Sequence, residues 1–145
     1  MSLLEFREVT VDYRASDTAA PAVRQVSLAL DHGEILGVAG ESGCGKSTLA
    51  ATVLRLLPAS ASITGQVLLD GSDVLTMSWG QLRAARWAQA SIVFQGALHA
   101  LNPVQRIGDQ IAEPIRLHRT AKKVDARVRE LLGQVGLPAW RARSY

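Results

Sequence analysis

Nine residues narrow the folds open to this chain to a few: Gly40-Glu41-Ser42-Gly43-Cys44-Gly45-Lys46-Ser47-Thr48. They match G-x-x-x-x-G-K-[ST], a glycine turn that opens directly into a helix. Glycines let the backbone turn tightly and bring successive N–H groups up to a phosphate, where a side chain would clash. The helix start beyond them adds unpaired donors and the positive end of its dipole. Lys46 can reach terminal phosphates as a compact point charge, and Ser47 can offer its hydroxyl to Mg²⁺. The flanks supply the context the pattern requires. Glu34 to Ala39 is a short apolar run that reads as a buried strand. Lys46 to Leu57 places Leu49, Ala50, Val53, Leu54 and Leu57 at helical spacing, and Pro58 closes the run. Strand, glycine loop and helix follow in order, and the residues point to nucleotide binding.

At 145 residues, 48% of them hydrophobic, the chain has the size and core content of one ordinary globular domain. It contains no run of 18 apolar residues, the length a membrane-spanning helix needs. Met1 to Arg7 lacks the basic start and apolar middle of a signal peptide, and a single cysteine excludes an internal disulfide. A reducing, cytoplasmic setting is the expectation. The net charge of +3 is unevenly spread. Residues 1–105 hold seven basic and nine acidic side chains, whereas residues 106–145 hold nine and four, a net of +5. Such a basic tail suits nucleic acid, an anionic membrane surface or the solvated faces of helices. It has no interleaved aromatics of the kind that stack on bases, so nucleic acid is not expected.

Along the chain, Leu3 to Val11 and Val23 to Leu30 read as strands, separated by a turn or loop from Ala15 to Pro21. Asp31-His32-Gly33 turns the chain toward the run that feeds the glycine loop. Gln66 to Gly71 reads as a strand ending in a turn. Val67-Leu68-Leu69-Asp70 resembles an apolar strand ending on a metal-binding aspartate, but Asp70-Gly71 is a strong turn signal and the turn is expected. A short helix is expected from Trp79 to Arg86, a strand from Ser91 to Phe94 ending on Gln95, and a loop from Gly96 to Pro103. Val104, Ile107, Ile111 and Ile115 form a helical stripe interrupted by Pro114. Ala121 to Val135 is a cleaner amphipathic helix, stopped by Gly136-Leu137-Pro138.

This arrangement resembles the ATP-binding subunits of ABC transporters, in particular the branch serving dipeptide, oligopeptide and nickel importers. Four stretches carry the resemblance: Tyr13, the glycine loop, Ile92-Val93-Phe94-Gln95, and Leu101-Asn102-Pro103 followed by Ile107-Gly108-Asp109-Gln110-Ile111-Ala112-Glu113-Pro114. The resemblance implies an α/β P-loop nucleoside triphosphate hydrolase fold with an N-terminal antiparallel β part and the start of a helical subdomain. Residues 1–95 would be the β-subdomain and first part of the P-loop core, and 96–145 the coupling loop and first helices. ATP and Mg²⁺ are the implied cofactors. Gly40 to Thr48 would cradle the phosphates, with Lys46 as catalytic cation. Ser47 and Gln95 would hold Mg²⁺, Gln95 would also touch the attacking water, and Tyr13 would stack on adenine. The implied partners are transmembrane permease subunits, reached through Gly96–Pro103 and the following helices, and a second ATP-binding subunit. The implied place is the inner face of the cell membrane.

The sequence departs from that pattern in two places. Gln95-Gly96-Ala97-Leu98-His99-Ala100 stands where relatives usually carry Asp-Pro after the glutamine. The Leu-Ser-Gly-Gly-Gln signature, the Asp-Glu strand end and the catalytic histidine do not occur before Arg143-Ser144-Tyr145. These 145 residues by themselves are therefore expected to bind ATP weakly, to hydrolyse it poorly, and to leave the parallel strands without neighbours. Two alternatives stay open: an inactive nucleotide-binding or subunit-binding fragment, and another P-loop kinase. A GTPase is excluded, because the guanine-reading Asn-Lys-x-Asp is nowhere in the sequence.

Overall fold

The structure is a computed structural model that describes residues 2–13, 21–86, 88–93, 96, 100–118 and 123–145. The chain divides into two compact units, residues 1–90 and 91–145.

In the first unit, β1 (Ser2–Tyr13), β2 (Val23–Asp31), β3 (Ala61–Leu69) and β4 (Ser72–Asp73) form one antiparallel sheet in the order β2-β1-β3-β4. Phe6, Val9 and Val11 are the buried residues of β1. Phe6 and Val9 are an odd number of residues apart, which in a regular strand would send them to opposite faces. A bulge at Glu8, where φ is 50°, absorbs the extra residue and returns Val9 to the core side. Across from it, Gly65 (φ 89°) lies so close that a Cβ would stand 2.5 Å from the Arg7 carbonyl oxygen. β2 carries a matching bulge at Gln25, where φ is 45°. Each bulge frees an amide, and a hydroxyl across the ladder takes it. Glu8 N–H donates to Ser27 Oγ and Gln25 N–H to Thr10 Oγ1, both at 2.9 Å.

On this sheet, Val67, Leu69 and Val74 join Leu49 and Ala85 in the core. Asp70 and Gly71, with φ of 48° and 75°, make the two-residue turn of the β3–β4 hairpin, as their dipeptide signals. On the exposed side of β1, the Arg7 guanidinium donates to Glu5 at 2.7 and 2.9 Å and holds that carboxyl below the ordinary carboxylate range. Both groups are exposed, so the pair contributes little; that contribution is present above the ordinary carboxylate range and is lost as pH falls.

Helix α1 runs from Lys46 to Thr52, shorter than the expected Lys46 to Leu57. Arg55 ends it, adopting a left-handed φ of 48°. Leu56 N–H donates to Ala51 O and Arg55 N–H to Thr52 O, both at 3.0 Å, the paired bonds of a Schellman ending. The orphan Leu54 carbonyl is taken by Arg86, whose Nε and Nη2 donate to it at 3.1 and 2.6 Å. Trp79 lies beneath both cations, 5.3 Å from Arg55 and 5.8 Å from Arg86. Helix α2 (Trp79–Ala85) starts from a capping box formed by Ser78 and Gln81.

Of the two apolar runs read as strands, Glu34–Ala39 and the described residues 91–93 form none. No described residue pairs with Glu34–Ala39 or with 91–93, and the side chains of Ile35 and Val93 are 96% and 95% exposed. A parallel strand is buried only when neighbours take its N–H and C=O groups and helices cover both faces. Phe94 and the greater part of the Ala15–Pro21 turn lie outside the described residues.

The second unit packs helix α3 (Ile107–His118), helix α4 (Val124–Gln134) and a 3₁₀ turn (Ala139–Arg143). Ala112 and Ile115 of α3 meet Val128 and Leu132 of α4, burial worth roughly 1.5–3 kcal/mol for each large side chain. The helix passes through Pro114 without the expected interruption, because the Ile111 and Ile115 face is held against α4. Gly136 (φ 74°) ends α4, with Leu137 N–H donating to Leu132 O at 2.9 Å. The 3₁₀ turn, which no sequence signal marks, closes on α3. A Cβ at Gly108 would stand 2.7 Å from the Ala142 carbonyl oxygen, and the Ser144 carbonyl accepts Ile107 N–H at 2.9 Å.

Two glycine substitutions separate clash from backbone strain in the sheet. Gly65→Ala meets backbone on the bulge and should cost about 3 kcal/mol, whereas Gly71→Ala meets open space and should cost about 1 kcal/mol. Urea midpoints followed by tryptophan fluorescence measure both, and equal losses would refute the packing assigned to the bulge.

Candidate phosphate-binding site

The glycine loop occupies the turn into α1. Gly43 and Gly45 have φ of 82° and 96°, conformations that side chains disfavour. Gly45 is the N-cap of α1, which has no side-chain cap. Its first-turn amides are therefore left for a ligand to satisfy. Gly45 also sits against β2, where a Cβ would stand 2.2 Å from the Ala22 carbonyl oxygen. Glycine is required here for two separate reasons.

Lys46 folds back over the loop that precedes it. Its Nζ donates to Gly40 O at 2.7 Å and to Glu41 O at 2.6 Å, and lies 3.4 Å from Cys44 Sγ. The ammonium is thus held at the mouth of the loop by backbone carbonyls rather than by a carboxylate. Ser47, on the first turn of α1, is exposed. Thr48 faces the sheet, where its Oγ1 lies 3.2 Å from the Tyr13 hydroxyl. Tyr13 is half-buried, its ring packing against the core of the first unit. The structure thus brings Gly40 to Thr48 together and ties Tyr13 to the far side of the same turn. Gln95 lies outside the described residues.

Two supporting features escaped the sequence reading. Arg86 caps the C-terminal end of α1, 40 positions from Lys46, and no local pattern announces such a pairing. The Ser78-Trp79-Gly80-Gln81 capping box does have a local pattern, S-x-x-Q, which marks where α2 begins. Among the described residues, no cluster of three or more His, Cys, Asp or Glu side chains is placed to hold a metal ion. No described helix is long and apolar enough to cross a membrane.

A glycine turn of this geometry, opening into a helix that starts at its lysine, defines a P-loop nucleotide-binding protein. The chain belongs to the ABC transporter family, whose sequence pattern it matches over residues 23–145. It is 37% identical over 140 residues to the oligopeptide transport ATP-binding protein OppD of Lactococcus lactis subsp. cremoris (strain SK11), covering 94% of this chain and 41% of that one. The probable D,D-dipeptide transport ATP-binding protein DdpD of Escherichia coli (strain K12) is 36% identical over 140 residues, 94% of this chain and 43% of that one. The chain thus spans about two-fifths of the length of these relatives. Among solved structures it resembles the ATP-binding cassette MJ0796, in a dimeric post-hydrolysis state bound to ADP and Pi. The TM-score is 0.77 over 97% of this chain and 60% of that one, at 20% identity, which establishes a common fold.

Cys44 tests where the loop lies. It is exposed and its sulfur neighbours the Lys46 ammonium. Alkylation by N-ethylmaleimide should abolish Mg-ATP binding, and Cys44→Ser should resist the reagent. Alkylated protein that binds Mg-ATP as well as before would displace the loop from the phosphate site.

Proposed function

We propose that this chain is an ABC-type ATPase subunit that binds Mg-ATP to power import of peptides or similar small solutes. The observation that carries the reading is the loop itself. Positive-φ glycines, an uncapped helix start and a lysine ammonium held by carbonyls suit a polyphosphate chemically.

In this reading the amides of Gly40 to Thr48 and Lys46 hold the phosphates, and Lys46 offsets the negative charge that develops during transfer. Ser47 and Gln95 hold Mg²⁺, whose charge neutralises phosphate oxygens when it is bound. Tyr13 presents a ring face to adenine, its position set by the hydroxyl contact with Thr48. Residues 1–95 carry the nucleotide site. Residues 96–145 carry the loop Gly96–Pro103 and the helices that face a transmembrane permease subunit, with a second ATP-binding subunit as the other partner. This assembly places the chain on the cytoplasmic face of the membrane. Peptides as cargo are supported by the names of the relatives, several of which are peptide transport proteins.

Removing the ammonium tests the site directly. Lys46→Ala should weaken Mg-ATP binding about tenfold or more by titration calorimetry, the scale of one lost charge-assisted contact. Equal affinities would exclude Lys46 from phosphate binding. Cargo is a separate question: deleting the coding sequence should abolish growth on peptides as sole nitrogen source, and unchanged growth would remove peptides from the reading.

A further inference from the structure

The downstream end of the Gly96–Pro103 loop is held by one side chain. Gln110, in the first turn of α3, turns its amide back over the backbone of Asn102 to Gln105. Its Oε1 accepts Asn102 N–H at 2.8 Å, and its Nε2 donates to Asn102 O and to Gln105 O, both at 2.9 Å. Asn102 adds a second layer, its Oδ1 accepting Val104 N–H at 3.0 Å and its carbonyl accepting Gln105 N–H at 3.2 Å. Pro103, between them, has its φ fixed by its ring. The acceptor and both donors of the amide are engaged. Only a planar amide offers one acceptor and two donors in that arrangement, and asparagine is a methylene shorter.

A glutamine on a helix surface ordinarily points its amide into water, and Gln110 is only half-buried. This one instead gives a short irregular segment the fixed shape that a ladder or a helix would otherwise give it. The segment also carries apolar side chains outward: Leu101 is exposed and Val104 is 80% exposed. Fixing a loop at the moment of docking costs conformational entropy, and a loop already fixed avoids that cost.

We propose that Gln110 is a positioning residue, which holds Asn102–Gln105 pre-formed so that Leu101 and Val104 meet the transmembrane subunit without reordering. This rests on the reading that the Gly96–Pro103 loop faces that subunit.

The test uses the full-length subunit with its membrane partner in nanodiscs, and three variants: Gln110→Ala, Gln110→Glu and Leu101→Asp. Gln110→Ala should speed hydrogen exchange at the Val104 and Gln105 amides and weaken partner affinity, each by about tenfold, with Mg-ATP affinity unchanged. Gln110→Glu keeps the acceptor for Asn102 N–H but turns a carboxylate toward two carbonyls. Lowering the pH from about 7 to about 4, through the ordinary glutamate range, restores one donor as that carboxyl protonates, so partner affinity should recover in part in this variant and not in Gln110→Ala. Unchanged exchange in Gln110→Ala would overturn the staple. Faster exchange with unchanged partner affinity, while Leu101→Asp does weaken the partner, would overturn positioning and leave the docking reading intact. Normal affinity in Leu101→Asp and Gln110→Ala alike would overturn the docking reading and the proposal with it.

Discussion

The close approach of Gly45 to the Ala22 carbonyl is the contact on which the placement of the glycine loop depends. A Cβ would overlap that oxygen, so the last turn of the phosphate loop lies directly against the start of β2. Two further ties act on the same turn. The Tyr13 hydroxyl meets Thr48, and Leu49 enters the core among Phe6, Val9, Val11 and Val23. A helix of seven residues has no stability of its own in water, so α1 exists because these contacts hold it. Arg86 and the Arg55 turn then close its other end. The loop's position is thereby set by the antiparallel sheet.

That arrangement explains why the loop keeps its shape although Glu34–Ala39, which feeds it, makes no ladder. Backbone groups in such a run need partners, and apolar side chains such as Ile35 and Val38 need cover. From Ile35 to Ala39 no described residue supplies a backbone partner, and Ile35 and Val38 are exposed. The relatives are more than twice as long as this chain, and the solved neighbour extends well beyond the matched region. The physical demand of these segments is for additional strands alongside them, and a parallel sheet is the structure that meets such a demand.

Much of this was legible in the residues. The glycine loop, the two long strands, the Asp70-Gly71 turn and the Gly136 stop each rest on local chemistry, and each lies where that chemistry puts it. What could not be read depends on pairs far apart in sequence. The odd spacing of Phe6 and Val9 makes sense only once Gly65 and Ser27 accommodate the bulge. The early end of α1 depends on Arg86, and its apolar residues alone point five positions too far. The apolar run Glu34–Ala39 signals what the segment needs, and its exposed Ile35 and Val38 are the apolar surface expected where neighbours are lacking. The tie between the Tyr13 hydroxyl and Thr48 has no signal in the sequence, since the two residues lie 35 positions apart.

The same device recurs at three described turns of this chain. A single polar side chain reaches back and occupies several main-chain groups at once. Lys46 does so with the carbonyls of Gly40 and Glu41, Arg86 with those of Leu54 and Arg55, and Gln110 with Asn102 and Gln105. The two cations act on carbonyls alone, so they are confined to places where acceptors converge. Gln110 faces an amide as well as carbonyls, and only a group carrying both polarities fits. The choice of lysine, arginine or glutamine is therefore set by the backbone polarity each must satisfy. A substitution that preserves size but changes that polarity should loosen the segment as surely as deletion of the side chain.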